Sequence, residues 1–127
     1  MAEQRRSRGL VLIVDEDQAA RDLYGDWFTS EGFEVMSAVG LTGLGWALRR
    51  DRPRLVITDL VVGDLVLAQL MARLRSDRST RCIPVVLITA VTDSRALDAA
   101  KRMGVAAALP KFGDLDALRV WVARLLD

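Results

Sequence analysis

The sequence predicts an α/β domain in which helices cover both faces of a parallel sheet. Three observations lead there. Short apolar runs alternate five times with segments whose apolar residues recur at helical spacing. Four of those runs end on chemically active residues: Asp15-Glu16-Asp17, Asp59, Thr89 and Lys111. With 127 residues, 51% hydrophobic and 28% charged, the composition suits one folded domain, and no repeat, linker or second domain is visible.

Leu10–Val14 is a continuous apolar run and the first strand, buried in character. From Asp17 to Ser30 the residues Ala20, Leu23, Tyr24, Trp27 and Phe28 recur at helical spacing, predicting an amphipathic helix that ends near Gly32. Phe33–Ala38 reads as the second strand. Leu41–Arg50 reads as a weaker helix, because Gly43 and Gly45 each lower its propensity by roughly 1 kcal/mol relative to Ala. Pro53 punctuates, and Leu55–Thr58 is the third strand. Leu65–Arg75 reads as a helix with Leu67, Leu70, Met71 and Leu74 on one face and Asp64 as its cap.

Pro84 precedes the fourth strand, Val85–Thr89, and Gly104 closes a helix over Ser94–Met103. Ala107–Leu109 is a short fifth strand. Asp114 caps a last helix with Leu115, Leu118, Val122 and Leu125 facing inward. Right-handed crossovers between parallel strands favour a flavodoxin-like doubly wound (βα)5 fold, a five-stranded parallel sheet in the order 2-1-3-4-5. The domain spans 10–127. Residues 1–9, with Arg5, Arg6 and Arg8, are expected to form a basic, mobile tail.

Composition excludes several chemistries. The chain has no His, so His-based acid–base catalysis, His metal ligation and a phosphohistidine carrier role are ruled out. Its one cysteine, Cys82, permits no internal disulfide and no Cys-rich zinc site, and its place near a strand entry suggests a structural role. The net charge of +1 gives no strong pull toward nucleic acid or membrane. No apolar stretch approaches the roughly 20 residues of a membrane span, and the polar start is no signal peptide, so a cytoplasmic protein is expected. Arg49, Arg50, Arg52 and Arg54 read as solvated surface, with docking of an acidic partner as the alternative. Trp27 and Trp46 read as packing residues.

In the order 2-1-3-4-5 the first and third strands are neighbours, which sets Asp15 and Glu16 beside Asp59 at the carboxyl edge, where open α/β sheets hold their ligands. Crowded carboxylates repel and call for a cation; a hard divalent ion with oxygen ligands, Mg²⁺ above all, suits them. Taken singly, these residues have plainer readings. Asp15 or Asp17 serves as a helix cap, Asp59 opens a turn, Thr89 is a strand former and Lys111 a solvated loop residue. Together, a carboxylate nucleophile with a hydroxyl and an amine on successive strands suits phosphoryl transfer onto Asp59.

The ordered segments VLIVDED (Val11–Asp17), LVITDL (Leu55–Leu60), IPVVLITA (Ile83–Ala90) and LPK (Leu109–Lys111) resemble the receiver domains of bacterial two-component response regulators. The spacings of 30 residues from Asp59 to Thr89 and 22 from Thr89 to Lys111 suit that family too. The resemblance implies that Asp59 accepts phosphate from a sensor histidine kinase or phosphotransfer protein. It implies that Glu16 ligates Mg²⁺ with Asp59 and the Val61 carbonyl, that Asp15 acts mainly through water, and that Thr89 and Lys111 bind the phosphoryl oxygens. Asp17 is expected in the outer shell or as a cap.

Three departures from the family pattern stand out. The loop after Asp59 reads Val62-Gly63-Asp64-Leu65-Val66-Leu67, which predicts a more mobile loop or a helix that begins differently. Phe112 follows Lys111 where proline is usual; a non-proline cis bond costs roughly 3 kcal/mol, so Lys111–Phe112 is expected to be trans. Ala108 stands where many receivers carry an aromatic switch, and Trp121 is expected to pack in the core rather than to cover that space. The expected function is signalling by conformational change to an unknown protein target, as a monomer or weak dimer, without direct nucleic-acid or membrane contact and without turnover of an external substrate. The alternative is a pseudo-receiver, a phosphate-independent interaction module.

Overall fold

The computed structural model describes residues 6–127 and pairs all five apolar runs in one sheet. The elements in chain order are β1 (Leu10–Val14), α1 (Gln18–Ser30), β2 (Glu34–Ala38), α2 (Leu41–Arg50), β3 (Leu55–Thr58), β4 (Val61–Val62), β5 (Leu65–Val66), α3 (Leu67–Arg75), β6 (Val85–Thr89), α4 (Ser94–Arg102), β7 (Ala107–Pro110) and α5 (Leu115–Leu126). The sheet order is β2-β1-β3-β6-β7, all parallel, which is 2-1-3-4-5 when the small β4–β5 hairpin is set aside.

Strand alternation divides the core into two layers. Leu12, Val14, Val56, Val85 and Leu87 face α2, α3 and α4, packing on Leu44, Leu70, Leu74 and Ala100. Val11, Ile13, Leu55, Ile57, Val86 and Ile88 face α1 and α5, packing on Tyr24, Phe28, Leu118 and Val122. β1 and β6 are buried along their whole lengths because helices cover both sides, which is why their sequences are continuous apolar runs. Asp17, Asp93 and Asp114 cap α1, α4 and α5 through their carboxylates. Gly104 ends α4 with φ +105°.

Several expectations need correction. Leu65 and Val66 are a strand, not the first turn of α3, and Asp64 caps no residue of α3: its Oδ1 accepts from the Leu41 N–H, 23 residues away, at the start of α2. Trp46 is 59% exposed, because α2 buries Leu44 and Ala47 and Trp46 points away from them. Leu23 lies outside the buried stripe of α1, and Cys82 is exposed, since strand pairing starts only at Val85. Arg8 is no part of a free tail: its N–H donates to Gly32 O, its guanidinium lies 4.4 Å from the Phe33 ring centroid, and it pairs with Asp127 at 3.1 Å. Arg5 lies outside the described residues. Trp121 packs in the α1–α5 layer whereas Ala108 packs in the other, so the expected packing role holds.

Candidate functional site

The carboxyl ends of β1, β3, β6 and β7 bring Asp15, Asp59, Thr89 and Lys111 to one edge of the sheet. Lys111 Nζ lies 2.7 Å from Asp59 Oδ2 and 3.0 Å from Asp15 Oδ2, with the three side chains 10%, 17% and 9% exposed. One ammonium thus bridges two carboxylates that would otherwise repel. Burial by itself would lower the Lys111 pKa; the hydrogen bonds to Asp59 and Asp15 outweigh it and hold the amine above its ordinary range.

The backbone fixes each carboxylate. Asp59 Oδ1 accepts from the Leu60 N–H at 2.7 Å. Asp15 Oδ1 accepts from the Asp17 N–H at 2.9 Å, and the Arg21 guanidinium donates to the Asp15 carbonyl at 2.8 Å. Thr89 Oγ1 is buried and accepts from the Val91 N–H at 3.2 Å, which leaves the hydroxyl proton for another acceptor.

The segment after Asp59 forms a short hairpin, and α3 begins after it at Leu67, so the helix begins differently, as one of the two expectations had it. Val61-Val62 and Leu65-Val66 pair across Gly63-Asp64, with Gly63 at φ +60°. Val62 and Leu65 are buried in the α2–α3–α4 layer. The Leu67 N–H donates to Leu60 O, so by alternation the Val62–Leu65 pair exchanges hydrogen bonds and the Val61–Val66 pair does not. The Val61 carbonyl therefore has no partner on the opposing strand. The hairpin tip is held from two sides: Glu16 Oε2 accepts from the Gly63 N–H at 3.2 Å, and Asp64 holds the start of α2. A methyl group at Gly63 would come within 2.8 Å of Val39 O, so no larger residue fits this approach.

Beyond Lys111 no peptide bond is cis among the described residues, as expected, and Phe112 turns the chain with φ +59°. That conformation is uncommon for a residue with a side chain. The Tyr24 hydroxyl accepts from the Phe112 N–H at 2.8 Å, and the two rings stack at 6.4 Å. Burial raises the Tyr24 pKa, opposed by that hydrogen bond and by the charge of Lys111. The Lys111 backbone N–H donates to Thr89 O, which ties the end of β7 to β6. Beside Ala108 an apolar cleft of about 160 Å³ opens among Thr89, Val91, Leu97 and Pro110.

The donor set fits a hard divalent cation. Asp15 and Asp59 are held together, the Val61 carbonyl is free of the ladder, and all three are oxygens, a combination that suits a Mg²⁺ ion keeping several waters. Glu16, the expected ligand, accepts from the Gly63 N–H through Oε2, and among the described residues no three carboxylates converge. The Glu16–Gly63 and Tyr24–Phe112 contacts were not foreseen from sequence. Apolar pairs on either side of Gly63-Asp64 were the available signal for the hairpin.

Residues 11–123 match the family model described as the response regulator receiver domain. The chain is 36% identical over 109 residues to the transcriptional regulatory protein GlrR of Escherichia coli, an alignment covering 85% of this chain and 24% of that one. It thus spans about a quarter of that relative. It is 27% identical over 118 residues to sporulation initiation phosphotransferase F of Bacillus subtilis, covering 91% and 92% of the two chains. The crystal structure of the receiver domain of NtrX from Brucella abortus superposes with a TM-score of 0.82 at 26% identity, over 91% of this chain and 97% of that one.

Proposed function

We propose that this chain, which belongs to the response regulator receiver domain family, accepts a phosphoryl group on Asp59 and passes the signal on by protein contact. The observation that carries the reading is Lys111 Nζ seated between Asp59 and Asp15 at the carboxyl edge of the sheet. Such an amine lowers the repulsion an incoming phosphoryl group would meet from two carboxylates.

In the proposed step a carboxylate oxygen of Asp59 attacks the phosphorus of a phosphohistidine on a sensor kinase or phosphotransfer protein. The P–N bond breaks and the imidazole leaves. Lys111 pairs with a phosphoryl oxygen, and the Thr89 hydroxyl donates its free proton to another. Asp15, Asp59 and the Val61 carbonyl would hold Mg²⁺, which supplies positive charge against the equatorial oxygens when bound. Glu16 keeps the hairpin in place and with it the Val61 carbonyl. The chain turns over no external substrate in this reading. GlrR is by name a transcriptional regulator, but the alignment covers only 24% of it, so direct nucleic-acid contact is not part of the proposal for these 127 residues.

Among the described residues no helix is long and apolar enough to cross a membrane. Intact-mass spectrometry after incubation with acetyl phosphate and Mg²⁺ tests the reading. The expected result is one phosphoryl adduct that requires Mg²⁺ and is lost in Asp59→Asn. No adduct under these conditions, with Mg²⁺ binding also missing, would replace the proposal with a phosphate-independent interaction module.

A further inference from the structure

Three features on the outer face of α2 are left unexplained by ion pairing or core packing among the described residues. Trp46 is 59% exposed and makes no aromatic stack or cation–π contact among the described residues. Arg49 and Arg50, three and four positions further on, flank it one turn away, and both are exposed. Neither they nor Arg52 forms an ion pair among the described residues.

The third feature is Gly45. Gly43 lies close to β2, where a methyl group would touch Ala38 at 3.5 Å, but a methyl group at Gly45 would meet nothing within 4 Å. Packing therefore does not call for glycine at 45, although glycine weakens a helix. What Gly45 does provide is bare backbone beside the exposed indole, and glycine serves where another molecule approaches the main chain closely.

Basic residues in the last turn of a helix partly answer its dipole, but the C-terminal partial charge is only about half a unit. Arg49, Arg50 and Arg52 face that, the Asp51 carboxylate and, at Arg52, the charge of Asp77, which leaves the positive patch centred on Arg49 and Arg50. Arg54 is excluded from the patch, since its guanidinium is committed to the Arg8 and Leu126 carbonyls. The start of α2 is pinned by Asp64, so the face is presented on an anchored helix.

We propose that the outer face of α2, formed by Gly45, Trp46, Arg49 and Arg50, docks an acidic protein segment that seats an apolar side chain against Trp46. Trp and Arg are the residue types that most often dominate protein interfaces. The charge selects an acidic partner, and the indole with the bare Gly45 backbone selects a protein over a purely electrostatic ligand. The surface is separate from the Asp59 edge, and its occupation requires no phosphorylation.

The test is selection of a random-peptide display library on the immobilised full chain, followed by titration of the enriched peptides. The expected peptides are net acidic and contain an aromatic or large aliphatic residue. Trp46→Ala and Arg49→Glu/Arg50→Glu each weaken them about tenfold or more, and their affinity falls as salt rises. Gly45→Ala separates docking from a structural role: it raises the Tm of the free protein by a few degrees while weakening the peptides. The proposal is overturned by a selection that enriches nothing or no acidic sequences, or by peptides that bind Trp46→Ala or Gly45→Ala as well as wild type. It is also overturned if oligothymidylate displaces the peptides more effectively than polyglutamate, or if sedimentation shows Trp46-dependent self-association.

Discussion

Replacing Lys111 by Met keeps most of the buried stem and removes the charge that two carboxylates share. Their Oδ2 atoms lie 2.7 and 3.0 Å from Nζ, so they are at most about 5.7 Å apart. Two unit charges at that separation repel by about 3 kcal/mol at an effective dielectric of 20, and by under 1 kcal/mol in bulk water. With side-chain exposures of 9% for Asp15 and 17% for Asp59, the first figure is the closer guide. Urea unfolding of Lys111→Met in EDTA at neutral pH is expected to show a loss of about 2–3 kcal/mol. Saturating Mg²⁺ should recover much of it, because the ion restores positive charge at the same oxygens. The variant should therefore bind Mg²⁺ about tenfold or more tightly than wild type. A loss below about 0.5 kcal/mol, with Mg²⁺ affinity unchanged, would refute the idea that Lys111 offsets this repulsion.

Four further outcomes are expected. Tyr24→Phe leaves the Phe112 N–H without its acceptor and should cost about 1 kcal/mol in chemical denaturation. The Tyr24 and Lys111 pKa values are both raised on folding, so their contributions are complete below the unfolded values near 10 and are lost as pH rises through the folded ones. Stability should thus stay flat across neutrality with respect to these two groups and fall in alkali, with a shallower fall in Tyr24→Phe. Gly63→Ala meets both a φ of +60° and a 2.8 Å approach to Val39 O, and should cost roughly 1–2 kcal/mol while weakening Mg²⁺ binding, read by calorimetry. Glu16→Gln, which keeps an acceptor for the Gly63 N–H, should hold the hairpin and most of the Mg²⁺ affinity, whereas Glu16→Ala should lose both, as measured by hydrogen exchange at residues 61–66 and by metal titration.

Much of this molecule is written in local periodicity. β1 and β6 declare themselves as unbroken apolar runs because helices bury both their faces, and α1 and α5 do so through stripes set by 3.6 residues per turn. The positions of Asp15, Asp59, Thr89 and Lys111 at strand ends follow from the same pattern, since parallel strands put all their carboxyl ends on one edge. What periodicity cannot convey is where a side chain ends once the elements have packed. Leu65 and Val66 run into Leu67–Arg75 with no breaker between them, so the local sequence leaves the start of α3 open, and burial of the Val62–Leu65 pair against the sheet decided for the hairpin. Asp64 suits a cap for the helix just after it, yet the Leu41 N–H, far away in sequence, came closer. Trp46 is apolar enough for a core, but Leu44 and Ala47 claim the buried side of α2. Lys111 has a flexible four-carbon stem whose reach alone permits many partners. The sequence by itself determined the fold class and the residues at the carboxyl edge, because those depend on short-range pattern, and the right-handed crossover rule added the sheet order. Only the tertiary structure decided that Asp15 shares Lys111 with Asp59 while Glu16 holds Gly63, because those contacts join residues from different strands and loops.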